Sequence, residues 1–337
     1  MSETPLIRVE RLCRQFAVTE GRSGFFGAWA NLVTRKHSVK KAVDDLSFNI
    51  NEGEFVGYVG ENGAGKSTTI KILTGILTPT SGRAEVAGVV PYQRRKDNSR
   101  NIGVVFGQRT QLWWDLAVRE SFDLLRSIYA VPDGIFQRNF SELSEALELE
   151  PLLKVPVRKL SLGQRMRCDL AASLLHGPKV LFLDEPTIGL DLIAKDQVRK
   201  FLKRINKERG STIILTTHDM DDIEALCDRI MILDEGKLVY DGATELLKGE
   251  YAREKLLEVE FYEPVDDFSK LPMVELTVSE GNRRWLRFSQ DDASAQEVIT
   301  RLFANYMVKD ISIHEPKVED VVKNIYAHGV TRPMGRV

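Results

Sequence analysis

Hydrophobic and polar residues are arranged in two patterns along the chain, and the change between them falls near residue 250. Up to about residue 240, short apolar runs alternate with stretches in which apolar residues recur every three or four positions. The runs that predict strands are LSFNI (46–50), EFVGYVG (54–60), VLFLD (180–184) and TIILTT (212–217). Strands that alternate with helices favour an α/β domain with a largely parallel central sheet.

The helical periodicity of this first region predicts three long helices and one all-helical insert. The three helices are expected over 65–77, 163–176 and 192–209. Residues from about 112 to 160 have helical periodicity and little strand signal, which predicts a helical subdomain inserted into the α/β domain. We expect the whole first domain to cover residues 5–245.

After residue 250 the pattern alternates with a period of two, which is typical of half-buried strands. The predicted strands cover 255–262, 273–280, 283–290 and 309–315, and the predicted helices lie near 293–304 and at the end of the chain. These elements predict a second, small α+β domain over residues 251–326.

Composition narrows the possible partners. The 47 basic and 49 acidic residues nearly cancel, so no overall field would recruit nucleic acid, and we expect none as a partner. No run approaches the roughly 18 apolar residues of a membrane span, and residues 1–10 lack the apolar region of a signal peptide. We therefore expect a cytoplasmic protein.

The stretch GENGAGKST (60–68) fits the phosphate-loop pattern Gly-x4-Gly-Lys-Ser/Thr. It follows a predicted strand and opens a predicted helix, where backbone N–H groups and the positive end of the helix attract phosphate. We expect Lys66 to reach the β- and γ-phosphates and the Ser67 hydroxyl to coordinate Mg²⁺. The predicted nucleotide-binding residues of the loop are Gly60, Glu61, Asn62, Gly63, Ala64, Gly65, Lys66, Ser67 and Thr68. The alternative is a glycine-rich turn before an ordinary helix.

The stretch VLFLDE places two carboxylates at the end of a predicted buried strand. Ligands of open α/β sheets bind at the carboxyl ends of the strands, so Asp184 is predicted to lie on the Mg²⁺ side of the site. Glu185, one residue further on, is suited to orient or deprotonate an attacking water. An isolated Asp-Glu pair is also compatible with an acidic turn, but its occurrence together with a phosphate loop favours the catalytic interpretation.

The stretch LSLGQ (160–164) resembles the signature of the ATP-binding-cassette (ABC) ATPases, usually Leu-Ser-Gly-Gly-Gln. Physically, Ser161 and the Gly163 N–H at a helix start would form a second anion site. The resemblance implies that this segment, Ser161, Leu162, Gly163 and Gln164, grips the γ-phosphate held by the phosphate loop of another cassette. Leu162 departs from the usual Gly, and we expect its side chain near that interface. The alternative is a simple helix N-cap.

Further motifs follow in the order of the ABC family, and the resemblance covers residues 5–245. It implies that Gln108, in VVFGQRT, contacts Mg²⁺ or water and senses a membrane partner. It implies that Asp191 belongs to a loop that crosses to the opposite site, and that His218 contacts the γ-phosphate. An isolated His after a strand is more often structural, so this role depends on the other motifs. Phe16 is the expected aromatic that stacks on adenine.

The resemblance implies a P-loop ABC ATPase fold, in which a mixed, largely parallel sheet carries an inserted helical subdomain. The implied cofactors are ATP and Mg²⁺. The implied catalytic residues are Lys66, Gln108, Glu185 and His218, and the implied Mg²⁺ ligands are Ser67, Gln108 and Asp184.

The segments 74–88, 107–122 and 314–322 resemble bacterial exporter ATPases whose membrane half is a separate polypeptide. The implied partners are then a second cassette, in a homodimer or a related heterodimer, and a separate integral-membrane permease. The expected location is peripheral, on the inner face of the cell membrane.

Residues 18–41 form an insertion where the family has a brief turn. Apolar residues recur there at helical spacing, and basic residues follow them: Phe25, Ala28, Trp29, Leu32 and Val33, then Arg35, Lys36, Lys40 and Lys41. Such an amphipathic segment suits a membrane interface, with residues 21–41 in contact with anionic lipid. A helix packed on its own domain or on a partner is an equal alternative, and Gly24 and Gly27 lower the helix propensity in both cases.

Two other functions compete with transport. One is a soluble ABC ATPase that acts on nucleic acid or the ribosome, but the chain has a single cassette, no heptad run and a near-neutral charge. The other is a nucleotide-binding regulator that never hydrolyses ATP, which the presence of Glu185 and His218 disfavours.

Overall fold

The computed structural model describes residues 4–19, 37–107, 109–251, 254–290, 292–314 and 318–328. The chain divides into two compact units, Met1–Asp241 and Gly242–Val337. The strands of the first unit are β1 (Ile7–Thr19), β2 (His37–Ile50), β3 (Phe55–Gly60), β4 (Ser81–Val86), β5 (Ile102–Phe106), β6 (Val180–Asp184), β7 (Thr212–Thr216), β8 (Arg229–Asp234) and β9 (Lys237–Ala243). Strand β9 ends two residues beyond the boundary between the units.

The α-helices of the first unit lie between these strands. They are α1 (Lys66–Leu73), α2 (Arg95–Asn101), α3 (Val118–Tyr129), α4 (Asp133–Ala146), α5 (Leu162–Leu174), α6 (Leu192–Arg209) and α7 (Met220–Leu226). Residues 112–160, all of them described, contain α3, α4 and two short 3-10 helices but no strand.

A six-stranded sheet with the order β5-β6-β7-β3-β8-β9 forms the centre of the first unit. The pairs β5–β6, β6–β7, β3–β7 and β3–β8 are parallel, as the alternation of strands and helices predicts. Their apolar side chains are buried on both faces, which is typical of parallel sheets covered by helices. The carboxyl ends of β3 and β6 therefore lie at the same edge of the sheet.

A second, antiparallel sheet has the order β2-β1-β4. Side chains of both sheets and of α1 form one hydrophobic cluster that includes Val9, Leu46, Phe48, Tyr58, Ile70, Val86 and Phe182. The mixed α/β architecture with a largely parallel sheet confirms the predicted fold class, and the antiparallel sheet adds a layer that the apolar pattern alone did not predict.

The second unit consists of a four-stranded antiparallel sheet with helices. Its elements are α8 (Thr244–Tyr251), β10 (Glu254–Phe261), β11 (Val274–Glu280), β12 (Arg283–Ser289), α9 (Ala295–Asn305), β13 (Val308–His314) and α10 (Val318–His328). The strand order is β11-β12-β10-β13, and the sheet packs its apolar face on Val298 and Leu302 of α9. The predicted strands and helices of this region are confirmed within one or two residues.

Several predicted boundaries in the first unit differ from the structure. The strand predicted over 46–50 is the end of the longer β2, and the helix predicted over 163–176 ends at Leu174. Helix α1 ends at Leu73, not at residue 77, because Gly75 follows with a φ of +79° and turns the chain out of the helix. The ends of the 18–41 insertion belong to the β1–β2 hairpin, in which Lys40 pairs with Phe16 and Lys41 with Gln15.

The amphipathic helix predicted from the centre of that insertion lies outside the described residues, so its contact with lipid stays a prediction. In the described part of the chain, no helix combines the length and the apolar character needed to cross a bilayer.

Candidate nucleotide site

The phosphate loop connects β3, which is buried throughout, to the start of α1. Gly65 is the N-cap residue and has a φ of +101°, and a Cβ added there would lie 2.2 Å from the Ala42 carbonyl oxygen. Glycine is therefore required at this position for close packing against β2. No side chain caps the first turn of α1, so the loop retains the backbone donors that an anion at a helix start binds.

The Lys66 side chain folds back across this loop. Its Nζ donates to the carbonyl oxygens of Gly60, at 2.5 Å, and Glu61, at 3.0 Å. Burial lowers the pKa of the Lys66 ammonium group, and the nearby carboxylates, of which Glu185 and Asp184 act most strongly, oppose that effect. A cation is thus held between the loop and the acidic end of β6.

One hydroxyl group, two carboxylates and an imidazole meet at the end of β6. The Thr216 hydroxyl, on β7, donates to Asp184 Oδ1, and the Glu185 N–H donates to the Thr216 carbonyl oxygen at 2.8 Å. Glu185 has a φ of +54°, in the left-handed region. Its carboxylate Oε1 lies 2.8 Å from His218 Nε2. The chain therefore brings an acid and an imidazole together beside Lys66.

These groups line one open cleft of about 150 Å³. Its lining residues are Glu61, Asn62, Gly63, Gly65, Lys66, Ser67, Thr68, Asp184, Glu185 and His218. All ten were predicted as site residues, and they come from three separate segments of the sequence. Gly60 and Ala64, which were also predicted, lie in the same loop, with Gly60 as the partner of Lys66.

The donor set of the cleft fits Mg²⁺ and phosphate. Ser67 supplies a hydroxyl and Asp184 a carboxylate, and hard oxygen ligands of this kind suit Mg²⁺. Gln108, the third predicted ligand, lies outside the described residues, so its role stays a prediction.

The signature segment forms the start of α5. The Ser161 hydroxyl oxygen accepts a hydrogen bond from the Gln164 N–H at 3.2 Å, and Gln164 Oε1 accepts one from the Ser161 N–H at 2.9 Å. This reciprocal pair is a capping box, with glutamine in the third helical position. Neither Gly163 nor any other residue of the segment lines the phosphate cleft of the same chain.

The signature segment packs on the loop that precedes α6. A Cβ added to Gly189 would lie 2.9 Å from Leu162 Cδ2, so the leucine side chain covers this glycine. Asp191, the predicted cross-subunit residue, caps α6 through a hydrogen bond from the Ala194 N–H to its Oδ1 at 2.9 Å. Two loops with predicted roles in a partner site are therefore in contact within one chain.

Phe16 lies on β1, outside the phosphate cleft. The Arg14 guanidinium lies 4.7 Å from the centre of its ring, which is a cation–π contact on one face. The adenine-stacking role of Phe16 stays a prediction.

Sequence reasoning missed Thr216 and Arg14, both of which hold a predicted site residue in place. Thr216 carried a detectable signal, because it is a polar residue at the end of a buried strand that was itself predicted beside the site. Arg14 carried a weaker signal, because residues two apart in a strand lie on the same face.

A family model described as ABC transporter matches residues 43–188 of the chain. The probable multidrug ABC transporter ATP-binding protein YbhF of Escherichia coli is 35% identical over 257 residues, which cover 74% of this chain and 44% of that protein. The chain thus spans less than half the length of YbhF.

Two shorter relatives match over most of their own length. The bacitracin transport ATP-binding protein BcrA of Bacillus licheniformis is 36% identical over 64% of this chain and 69% of that protein. The ABC transporter ATP-binding protein NatA of Bacillus subtilis is 32% identical over 63% of this chain and 86% of that protein.

Solved cassettes share the fold. The cassette MJ0796, in a dimeric post-hydrolysis state bound to ADP and Pi, superposes with a TM-score of 0.58 and 25% identity, over 70% of this chain and 98% of that one. CbiO1 from Clostridium perfringens, part of the ABC transporter complex cbiONQ, has a TM-score of 0.59 and 28% identity, over 74% of this chain and 92% of that one. From the phosphate cleft, the signature and these relatives together, the chain belongs to the family of ABC transporter ATP-binding proteins, which are ATPases.

Proposed function

We propose that the chain binds and hydrolyses ATP as one of two cassettes and couples this cycle to export through a separate membrane permease. The observation that carries the proposal is the convergence of the phosphate loop, Lys66, Asp184, Glu185 and His218 in one cleft. These groups can bind phosphate, neutralise its charge and activate water, which together are the requirements of phosphoryl transfer to water.

Each residue of the cleft has a separate task in this reaction. Backbone N–H groups of the loop bind the phosphates, and the Lys66 ammonium neutralises the charge on the transferred group. Ser67 and Asp184 would hold Mg²⁺, which offsets the negative charge on the phosphate oxygens when it is bound. Glu185 accepts a proton from water as the water oxygen bonds to the γ-phosphorus and the bond to the ADP oxygen breaks. His218, in contact with Glu185, holds that carboxylate in place.

A second cassette would complete each site. The Asp191 loop is bordered by exposed apolar side chains, with Leu192 and Ile193 exposed by 78% and 74%. Neighbouring exposed apolar side chains that form a patch can mark a protein–protein contact. The capping box at Ser161 also lies outside the cleft of its own chain, so it is available to the cleft of a second copy. The dimeric form of the related cassette MJ0796 supports this arrangement.

Exposed aromatic and apolar side chains of the helical subdomain suit a membrane partner. Trp113 and Trp114, a few residues after Gln108 in the sequence, are exposed by 38% and 51%, and the Arg165 guanidinium of α5 lies 5.5 Å from the centre of the Trp114 ring. Ile128 of α3 is exposed by 64%. Aromatic side chains of this kind are enriched in protein interfaces. The chain would then lie at the membrane through its permease. The names of YbhF and BcrA, which refer to multidrug and bacitracin transport, support a role in transport.

The substitution Glu185→Gln tests the ATPase proposal. We expect ATP binding to persist and hydrolysis to fall about 100-fold or more, because the neutral amide cannot accept a proton from water. The variant should therefore form an ATP-dependent dimer, measured by size-exclusion chromatography with light scattering. Glu208→Gln on α6 is the matched control and should behave as the parent does. A Glu185→Gln variant that hydrolyses ATP at the parental rate would refute the assigned role.

The permease proposal is tested by co-expression with a multi-span membrane protein encoded next to this chain. We expect the two to co-purify in detergent, and Trp114→Glu to abolish this because a charge replaces an apolar contact. Met307→Glu, at a side chain exposed by 75% in the second unit, is the matched control. Co-purification that is equal in the parent and in Trp114→Glu would contradict the proposed contact surface.

A further inference from the structure

A buried acidic residue outside the cleft, Asp222, links three segments near the cleft: α7, α6 and the segment that follows Glu185. Asp222, on α7, has no exposed surface, and both of its carboxylate oxygens are paired. Oδ1 accepts a hydrogen bond from Arg199 Nε at 2.5 Å, and Oδ2 accepts one from the Thr187 hydroxyl. Since an unpaired buried carboxylate is strongly unfavourable, these contacts hold Asp222 and its two partners in a single arrangement.

The first partner, Thr187, anchors the segment that carries Glu185. Thr187 lies two residues after Glu185 and is buried. On the other side, the Glu185 N–H is bonded to the Thr216 carbonyl oxygen. The segment is therefore held at both ends, by β7 before the carboxylate and by Asp222 after it. Glu185 itself has an uncommon backbone conformation, with φ +54°, which such anchoring maintains.

The second partner belongs to the helix that begins at the Asp191 loop. Arg199 lies on α6, which Asp191 caps. The Lys195 ammonium, one turn earlier on α6, donates to Asp219 Oδ2 at 2.6 Å, and Asp219 caps α7 directly after His218. Arg199 also lies 3.8 Å from Asp219. Two basic side chains of α6 thus hold the start of α7.

We propose that Asp222 is a positioning residue that sets the contact between Glu185 and His218 and connects this pair to α6. The inference rests on the proposed ATPase function. The 2.8 Å contact between Glu185 Oε1 and His218 Nε2 depends on where two separate segments are placed, and Asp222 is bonded to one and lies on the helix that follows the other. Misplacement of a catalytic group by about 1 Å can cost about 100-fold in rate.

The proposal is tested by Thr187→Val, which removes one hydroxyl at nearly constant shape, with Thr187→Ser as the conservative variant and Asp222→Asn as the stronger one. We expect kcat for ATP hydrolysis to fall about tenfold or more in Thr187→Val and Asp222→Asn, with KM for ATP within about twofold of the parent. Thr187→Ser should restore most of kcat. Asp241→Asn, which weakens the ion pair with Arg229 on β8, is the matched control for lost stability and should retain kcat.

A second measurement does not depend on hydrolysis. The imidazole NMR signals of His218, assigned with a His218→Gln variant among the five histidines, report its contact with Glu185. Thr187→Val should move these signals toward those of Glu185→Gln, and Thr187→Ser should leave them unchanged. Unchanged His218 signals in folded Thr187→Val would overturn the positioning role even if the ATPase function holds. An inactive parent in which Thr187→Val still moves the signals would instead refute the ATPase function alone.

Discussion

In the part of the chain that the structure describes, the starts of α1 and α5 are suited to bind phosphate, and they differ in how their backbone donors are satisfied. Helix α1 begins after Gly65, with no side-chain cap and with the loop residues around it lining an open cleft. Helix α5 begins after Ser161, where the capping box with Gln164 already occupies the donor of the third helical residue.

This difference indicates that the starts of α1 and α5 have different roles in phosphate binding. No side-chain cap has to be displaced for phosphate to bind at the start of α1, so we propose it as the primary site within one chain. At α5 the Ser161 oxygen is used internally, whereas its hydroxyl proton and the N–H groups of the first turn can still donate outward. Ser161 therefore suits a weaker, second contact to a phosphate that another chain already holds.

The largest effect should follow from removal of the cation at the uncapped end. Lys66→Ala should lower ATP hydrolysis by about 1000-fold, because the charge that neutralises the transferred phosphoryl group is lost. Steady-state phosphate release measures this. Lys71→Ala, an exposed lysine on the same helix, is the control and should keep the parental rate. Comparable turnover by Lys66→Ala and the parent would show that α1 is not the primary site.

A trans-complementation experiment tests the capped end. Ser161→Arg alone should lower hydrolysis about 100-fold, because a bulky cation replaces the cap at the partner's phosphate. An equal mixture with Lys66→Ala contains heterodimers in which one site is doubly altered and the other has both motifs intact. If the sites act independently, the mixture should regain about a quarter of the parental activity, since half of the dimers then have one intact site. Absence of any recovery in a titration of the two variants would argue against a shared site.

The smallest expected effect is a change in protein stability with pH, and it arises from the hydrogen bonds that anchor α5. Asp169, buried on α5, accepts hydrogen bonds from the Thr110 hydroxyl at 2.8 Å and the Gln111 N–H at 3.1 Å. Burial raises the pKa of this carboxyl from 3.8 to about 6. The folded state therefore binds the proton more tightly than the unfolded state, so this stabilisation is present below pH 3.8 and is lost as the pH rises through 6.

Asp169→Asn removes this titration. The free energy of unfolding of the variant, relative to that of the parent, should increase by about 2 kcal/mol between pH 4 and pH 7, because the parent loses stability as its Asp169 ionises in the folded state. Urea unfolding at several pH values measures it. Asp241→Asn is the control, since Asp241 is a partly exposed carboxylate paired with Arg229. A difference between Asp169→Asn and the parent that is independent of pH would exclude a raised pKa at this residue.

The clustering of Lys66, Asp184 and Glu185 could be predicted from the sequence. Asp184 and Glu185 lie at the end of β6 and the loop that carries Lys66 follows β3, and the carboxyl ends of parallel strands meet at one edge of a sheet. The contacts between side chains that are distant in sequence could not be predicted. The capping box at Ser161 was foreseen only as an N-cap, although the spacing Ser-x-x-Gln is a sequence signature of that motif. The contact of Leu162 with Gly189 and the pairing of Thr187 with Asp222 join residues far apart in sequence, and no local periodicity encodes them.

The φ of +54° at Glu185 has an evolutionary consequence. A residue with a Cβ in the left-handed region is typically less stable there than glycine by about 1 kcal/mol. Mutational drift at this codon toward glycine or asparagine would therefore favour folding while it removes the carboxylate. Continued selection for turnover is needed to retain glutamate, and in a lineage that no longer hydrolyses ATP this position would be among the first in the cleft to change.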